Sequence, residues 1–422
     1  MLADVLLKIN KDCKFNLNFF HMNYNMHSKS VLMYKHCRTL ALKNKIPFFN
    51  INIDSNKVFN NTDIESKARK ARYEELKKIC LENNINYILT AHHEDDQIET
   101  IYMCQQNNSS WISNIGIRKR ISVIKRREEK IDIFRPMLSI NKKNIIEYAK
   151  NHKLLFYDDP TNSNLRFLRN KVRLEIAPKI NDLKFRKALL EISRINKNKL
   201  LKISAKINKK QSKILFFSNR ENISILNKKI LLSENFDFFV LFIKKILNDE
   251  FLLNYIGSTL LWKNLYKFIL TNKTGKSFDL GNDIHVCDSK KYIFFYKIKY
   301  QKLNIEVDSL GNYKTRLGVI SVMMSNQFIK YKKGDGFCAP FSRFNDFQIE
   351  NWTYGDKCIS NNNLTLKVSD IFINNKLSLF EKENYPIVKY HGNIVWIPNL
   401  FQKKIKSDSS SKFIHLKWNF IL

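Results

Sequence analysis

The chain has 422 residues, of which 44% are hydrophobic, so we expect two or three domains with ordinary cores. No run of about 18 apolar residues occurs, and the first residues lack the pattern of a secretory signal, so we expect no membrane segment. The seven cysteines are scattered and form no C-x-x-C pair, which argues against a zinc or iron–sulfur site. Dispersed cysteines are typical of a reducing cytoplasm.

The formal charge is +34, from 73 Lys and Arg against 39 Asp and Glu. Such a balance is typical of proteins that bind a polyanion such as nucleic acid. An AT-rich genome would also produce it, since Lys, Asn, Ile, Phe and Tyr are abundant and Gly is only 10 residues. Net charge alone therefore leaves RNA or DNA binding open.

Apolar strands alternate with amphipathic helices in the first part of the chain. The pattern predicts strands at 15–23, 46–53 and 85–91, and helices at 31–45, 64–84 and from 95 onward. Alternating strands and helices are typical of an α/β fold, with a parallel sheet flanked by helices. Residues 182–272 predict basic helices, and 274–300 predict paired strands.

We expect three domains from these patterns. They are an α/β domain at 1–190, a helical middle domain with a terminal hairpin at 191–318, and a small α+β domain at 330–422. The TGKS sequence that ends at Ser277 is not a phosphate loop, because Leu270 stands where the first glycine of that motif is required.

The densest group of chemical side chains is TAHHEDDQIET, residues 90–100, directly after the third predicted strand. In an open parallel sheet, ligands bind where strands end and helices begin. A helix that opens at Asp95 would place Asp95 and Glu99 one turn apart, with Asp96 one turn before Thr100. The simple interpretation is a capped helix with solvated acids at the positive end of its dipole. The alternative is a pair of carboxylates that shares an ammonium group or Mg²⁺.

Three further segments are candidates for a site. They are ESKARKARY at 65–73, with Arg69 and Arg72 one turn apart; RPML at 135–138, which ends a strand; and the turn and helix at 158–178, with Arg166, Arg169, Lys171 and Arg173. A solvated helix face is the usual interpretation of such basic runs. A phosphate clamp is the alternative, since guanidinium forks match phosphate oxygens.

Together these segments resemble the tRNA(Ile)-lysidine synthetases of the PP-loop ATP-pyrophosphatase superfamily. Residues 91–100 match the family's A-H-H-x-D-D-Q-x-E-T, and 65–73 match its E-x-x-A-R-x-A-R-Y. RPML resembles its R-P-L-L, and Asp159 to Arg173 resemble its D-x-[ST]-N…R-N-x-x-R. Residues 352–399 are similar to its C-terminal part. The resemblance covers most of the chain and is weakest in the central helices.

The resemblance implies a cytoplasmic ligase that joins free L-lysine to the wobble cytidine of tRNA(Ile), with ATP and Mg²⁺. ATP adenylates the base at its C2 oxygen and pyrophosphate leaves; the side-chain amine of lysine then attacks C2 and AMP leaves. The C-terminal domain would bind tRNA. Family members are monomers or dimers, so a homodimer stays open.

By resemblance, eight residues receive roles and none is assigned to a metal. The expected roles are catalysis and lysine binding by Asp96, Glu99, Arg72 and Arg69; nucleotide binding by His92 and Arg169; and RNA binding by Lys171 and Arg173. An acidic pair can orient the lysine ammonium group, and a nearby base can take its proton. Arginines can stabilise charge on the phosphates.

The chain departs from the family at its start. The nucleotide loop Ser-Gly-Gly-x-Asp-Ser is absent, and MLADVLLKIN resembles the interior of the helix that follows that loop. Tyr24 and Asn25 stand where the family usually has a histidine and a glycine. Backbone N–H groups of such a loop cradle phosphates. We therefore expect a sheet that lacks one strand and has open edges.

Two explanations and two other functions stay open. Either translation starts upstream and the protein carries the loop, or the gene is decaying; the intact downstream motifs favour the first. A tRNA thiolase is one other function, although the paired cysteines typical of thiolases are missing. A catalytically inactive tRNA-binding remnant is the other. Basic clusters such as RKRISVIKRREEK at 118–130 fit both the enzyme and the remnant.

Overall fold

The chain forms two compact units, residues 1–201 and 202–422. The computed structural model describes residues 1–25, 27–53, 64–124, 130–165, 167–219, 222–253, 257–271, 275–297, 302–331, 334–405 and 412–420. No helix of that part is long and apolar enough to cross a membrane. The division into three domains stays a prediction.

The first unit alternates strands and helices, as the apolar pattern predicts. Its strands are β1 (Phe19–Asn23), β2 (Phe48–Asn52), β3 (Tyr87–Leu89), β4 (Arg120–Ile124) and β5 (Lys130–Phe134). Its helices are α1 (Leu2–Cys13), α2 (Ser30–Lys43), α3 (Ile64–Glu82), α4 (Glu94–Gln106), α5 (Lys142–Asn151), α6 (Leu168–Ile176) and α7 (Leu183–Ile214), the last of which continues into the second unit.

The strands of the first unit pair in parallel, which confirms the α/β fold class. β1 pairs with β2, and β3 pairs with β5, while β4 adds an antiparallel edge to β5 that the pattern did not predict. Within the described ranges, no strand pairs with the other edge of β1 or of β3. Both parallel pairs contribute to one core, because Phe20 of β1 packs against the apolar cluster of Ile88 from β3 and Leu76 from α3.

A second apolar cluster fixes the helices that follow β3. Ile98 and Ile101 of α4 are fully buried against Val172 and Ile176 of α6, with Leu189 of α7 beside them. Each such side chain contributes about 1.5–3 kcal/mol when it leaves water. The polar faces of α4 and α6 are therefore held next to each other at a defined distance.

Gln97 ties α4 to the segments beside it. Its Nε2 donates hydrogen bonds to the Ile115 carbonyl (2.9 Å) and to Ser193 Oγ (3.1 Å), and its Oε1 accepts one from the Ile117 N–H (2.6 Å). Gly116 has φ +71°, and a Cβ there would lie 2.8 Å from the Gln97 amide. Glycine therefore allows both the backbone turn and the close approach.

We expect Gln97→Leu to lower the free energy of local unfolding of α4 by about 2–4 kcal/mol, because buried polar partners lose their hydrogen bonds. Native-state hydrogen exchange of the α4 amides measures this quantity. The control is Gln105→Leu, an exposed position of the same helix, with a change under about 0.5 kcal/mol. Equal effects of the two substitutions would contradict the role of Gln97.

The second unit is built mainly from antiparallel strands. Its strands are β6 (Leu215–Asn219), β7 (Ile223–Asn227), β8 (Ser277–Gly281), β9 (Ile284–Asp288), β10 (Tyr292–Lys297), β11 (Asn304–Glu306), β12 (Gly311–Lys314), β13 (Gly318–Ser325), β14 (Gly336–Pro340), β15 (Phe347–Asn351), β16 (Lys357–Ile359), β17 (Thr365–Lys367), β18 (Pro386–Tyr390), β19 (Asn393–Ile397), β20 (Phe401–Gln402) and β21 (Phe413–Phe420). Its helices are α8 (Lys228–Leu232), α9 (Phe236–Phe251), α10 (Thr259–Leu270), α11 (Val368–Asn374) and α12 (Leu379–Asn384).

One five-stranded sheet separates two cores of this unit, in the order β6-β7-β10-β9-β8. Because side chains of a strand alternate between faces, Ile293 and Phe295 of β10 pack with α9 and α10, whereas Phe294 and Tyr296 pack with the C-terminal strands. Those later strands form two further sheets, β11-β15-β18-β19-β20 and β12-β13-β21-β14.

The prediction of helices throughout 182–272 was wrong at β6 and β7. The run at Ile223–Asn227 contains two isoleucines, is too short for a stable helix, and pairs with β10. The predicted hairpin at 274–300 is confirmed: β8 and β9 pair around Asn282 and Asp283, whose φ angles are +54° and +60°. Thr274 and residues 298–300 lie outside the described ranges.

Candidate active site

The motif at 90–100 forms the turn between β3 and α4, as predicted. The helix begins at Glu94, one residue before the predicted start at Asp95. His93 is its N-cap residue. The Asp96 N–H donates to His93 Nδ1 (3.4 Å), and the His93 N–H donates to Asp96 Oδ2 (2.9 Å). This reciprocal cap fixes the direction of the Asp96 side chain.

Asp96 and Glu99 form an ion cluster with Arg169 and Arg173. Both acids are nearly inaccessible, with 8% and 5% of their surface exposed. Arg169 bridges them: Nη2 donates to Asp96 Oδ1 (2.9 Å) and Nε to Glu99 Oε2 (2.7 Å). Arg173 Nε donates to Glu99 Oε1 (2.8 Å). The cluster thus joins residues that the resemblance assigns to lysine, nucleotide and tRNA.

The loop before α6 places both arginines. Asn170 is buried, and its Nδ2 donates to the carbonyls of Thr161 and Asn164, both at 2.9 Å. Asp159 Oδ1 in turn accepts from the N–H (2.8 Å) and hydroxyl (2.7 Å) of Thr161. These contacts lock the predicted turn onto α6 and set the direction in which Arg169 leaves the helix.

A separate ion cluster takes the other two acids of the motif. Arg186 of α7 donates to Glu94 and, at 2.9 Å, to Asp95 Oδ1. Asp95 and Glu99 are thus one turn apart as predicted, but they bind different arginines. Sequence reasoning missed Arg186, because it lies far along the chain in a basic helix with no distinguishing pattern.

A cavity of about 460 Å³ opens beside the first ion cluster. It lies among the carboxyl end of β1, the start of α2, α3 and the loop before α6. Arg72, Arg169 and Arg173 all line it, as do His27 and Asp159, whose Nε2 and Oδ1 atoms are 3.3 Å apart. Three guanidinium groups around one cavity fit a polyphosphate.

Arg72 and Arg69 lie in different surroundings. Arg72 Nε donates to the Tyr24 hydroxyl (2.9 Å), which donates to the Ala68 carbonyl (3.1 Å). Arg69 lies over the Tyr73 ring, 5.6 Å from its centre, and does not line the cavity. Of the two, Arg72 is therefore the residue that lines this cavity.

The second departure from the family is accommodated by the backbone. Asn25 has φ +50°, a left-handed conformation that glycine adopts freely and asparagine tolerates. Its N–H donates to Asn23 Oδ1 (3.0 Å), which supports the turn at the end of β1.

His92 is held neutral next to the ion cluster. Its Nδ1 is 2.8 Å from Thr90 Oγ1. Burial lowers the pKa of His92 to about 4; the Asp96 carboxylate opposes this shift and the Arg135 guanidinium adds to it. His92 can therefore form hydrogen bonds at neutral pH, but it is a weak base.

Arg135 is a buried arginine that the sequence pointed to without a role. β5 ends at Phe134, so the predicted strand break at RPML is confirmed. Arg135 has 2% of its surface exposed, and its Nη1 donates to the Arg118 carbonyl (2.7 Å). Its Nε is buried without a hydrogen-bond partner.

The remaining predicted residues lie outside this cluster. Lys171 is exposed on α6 and does not line the cavity. Arg166, part of the predicted clamp, and residues 125–129 of the basic run are outside the described ranges. In the part of the chain that the structure covers, no group of three His, Cys, Asp or Glu could hold a metal ion.

The PP-loop domain family matches residues 1–180. These residues form a PP-loop domain. A tRNA(Ile)-lysidine synthase of Persephonella marina is 27% identical over 425 residues, which cover 94% of this chain and 87% of that protein. The bifunctional protein TilS/HprT of Listeria innocua is 25% identical over 418 residues, which cover 90% of this chain and 59% of that protein. The chain is thus similar in sequence to a tRNA(Ile)-lysidine synthase over most of its length.

The chain thus spans about three fifths of the bifunctional Listeria protein, 59% of its length. Among solved structures, a TilS C-terminal domain aligns with 28% of this chain and 98% of its own, at 18% identity and a TM-score of 0.26.

The PP-loop domain should lose stability in mild acid through His92. The ordinary pKa is 6.5 and the folded value about 4, so between these values the unfolded chain binds a proton that the folded chain does not. Stability therefore falls as the pH falls through this window, by about 1–3 kcal/mol. We expect His92→Gln to remove this loss in urea titrations, and His152→Gln, at an exposed imidazole, to keep it. An unchanged profile for His92→Gln would contradict the account.

Proposed function

We propose that the chain is an ATP-dependent ligase that joins L-lysine to the wobble cytidine of tRNA(Ile). The observation that carries this proposal is the buried pair Asp96 and Glu99, bound by two arginines that also line a cavity. A carboxylate pair suits the ammonium group of lysine, and arginines suit the phosphates of ATP. Relatives named tRNA(Ile)-lysidine synthase support the choice of substrates.

Arg169 and Arg173 would control when the carboxylates of Asp96 and Glu99 can bind lysine. Each guanidinium group contacts a carboxylate and also faces the cavity. Phosphates in the cavity offer the arginines a second anion, so nucleotide binding would draw them away from Asp96 and Glu99. The lysine ammonium group then replaces a guanidinium charge, and the buried acids stay paired. The proposal therefore predicts that nucleotide binds before lysine.

The phosphates of ATP would be held by Arg72, Arg169 and Arg173, the three guanidinium groups of the cavity. Mg²⁺ would arrive with ATP, since it is commonly bound through substrate phosphates. The C2 oxygen of cytidine attacks the α-phosphorus and pyrophosphate leaves. The lysine amine then attacks C2 and AMP leaves. In this proposal His92 forms a hydrogen bond with the nucleotide. It does not remove a proton, because a pKa of about 4 makes it a weak base.

The direct test is transfer of labelled lysine to a tRNA(Ile) transcript with ATP and Mg²⁺. A transcript with uridine at the wobble position is the control, and the chain extended upstream at its N-terminus is a second enzyme sample. Lysine transfer to the cytidine transcript alone, by either sample, supports the proposal. Binding of tRNA by both samples without transfer would favour the inactive remnant instead.

Asp96→Asn should raise the KM for lysine about tenfold or more and change the KM for ATP less than about threefold. Loss of one charged hydrogen bond costs about 1.5–3 kcal/mol, and Asp96 faces the ammonium group in this proposal. Steady-state kinetics with each substrate varied in turn measures both constants. Glu147→Gln, an exposed acid of α5, is the control. Equal changes in both constants would reject the assignment of Asp96 to lysine.

A further inference from the structure

The second unit contains a cavity of about 600 Å³, a volume typical of ligand clefts. It is formed by the segment after β13, the region of β14, and the segment that contains β20. None of the eight residues that received roles from the sequence lines this cavity.

The walls of this cavity are held by hydrogen bonds to backbone groups. Trp396 Nε1 (2.9 Å) and the Asn399 N–H (3.0 Å) both donate to the Gly334 carbonyl. Gly334 has φ +83°, and a Cβ there would lie 3.3 Å from the Asn399 backbone, so the close approach favours glycine. The Lys404 N–H donates to Asn361 Oδ1 (2.7 Å). The cavity is therefore built into the strand framework.

The lining combines aromatic and aliphatic surface with positive charge. The apolar and aromatic residues are Phe328, Ile329, Tyr331, Leu400, Phe401 and Ile405. The basic residues are Lys330, Lys403 and Lys404. No described Asp or Glu lines it. Phe328 and Ile329 are 41% and 45% exposed, so apolar surface faces water beside lysines. Such a surface is typical of a binding site.

We propose that this cavity receives an unpaired nucleotide of RNA. The base would pack on the rings of Phe328 and Tyr331, and the adjoining phosphates would contact Lys403 and Lys404. Bases inside a duplex are covered by their neighbours, so only a splayed or terminal base can enter a concave site. The choice of RNA rests on the proposed function. An acidic peptide would match the lysines but leave the aromatic wall without a ring to pack on it.

The test measures binding of the full chain to two RNA hairpins with the same stem. One ends flush, and the other carries a short single-stranded tail with 2-aminopurine in it. We expect the tail to tighten binding about tenfold, the effect of stacking one base, and the 2-aminopurine emission to change on binding. Phe328→Ala should lose most of this gain and leave flush-hairpin binding unchanged. Leu310→Ala, at a residue 51% exposed elsewhere in the unit, is its control.

The lysines are tested by Lys403→Ala combined with Lys404→Ala, against Lys290→Ala at an exposed turn. We expect the double substitution to reduce the gain from the tail and to weaken its salt dependence. Equal binding of tailed and flush hairpins would overturn the inference. So would a competition experiment in which polyglutamate displaces the tail as effectively as an oligonucleotide does. Because the assay measures binding only, its result is separate from the test of lysine transfer.

Discussion

Two buried carboxylates on one helix turn impose the main constraint on the first unit. Asp96 and Glu99 cannot stay charged out of water without partners, and Arg169 and Arg173 supply them. The pairing depends on α4 and α6 lying side by side, which their shared apolar cluster ensures. It also depends on the turn that Asn170 locks onto α6.

The same pairing connects the fold to the proposed chemistry. Arg169 and Arg173 each contact a buried carboxylate and also line the cavity, so in the proposed reaction a phosphate group would compete with the carboxylates for them. Arg72 is tied to Tyr24 instead and is not shared with the carboxylates by any described contact. The neutral His92 adds a hydrogen-bonding group without a further positive charge. One cluster thus serves both stability and substrate order in this account.

Local patterns predicted the elements of the first unit well, because the spacing of apolar residues within a short segment distinguishes a strand from a helix. The turn at 90–100 and the strand break before Arg135 were predicted for this reason. The salt bridges of Arg169 and Arg186 were not, because they join segments far apart in the chain, and only packing decides which acid each one meets. β6 and β7 were missed because five-residue runs carry little periodicity of their own, and the pairing of β7 with β10 joins segments far apart in the chain.

The most direct test of the account is the affinity for lysine with and without a non-hydrolysable ATP analogue, measured by calorimetry on the chain that transfers lysine. The account predicts that the analogue tightens lysine binding about tenfold or more, a coupling free energy of about 1.4 kcal/mol. Arg169→Met should remove most of this coupling, because the substitution removes a guanidinium group that pairs with the carboxylates. Lysine affinity that is the same with and without the analogue would contradict the claim that the arginines occupy the carboxylates until nucleotide binds.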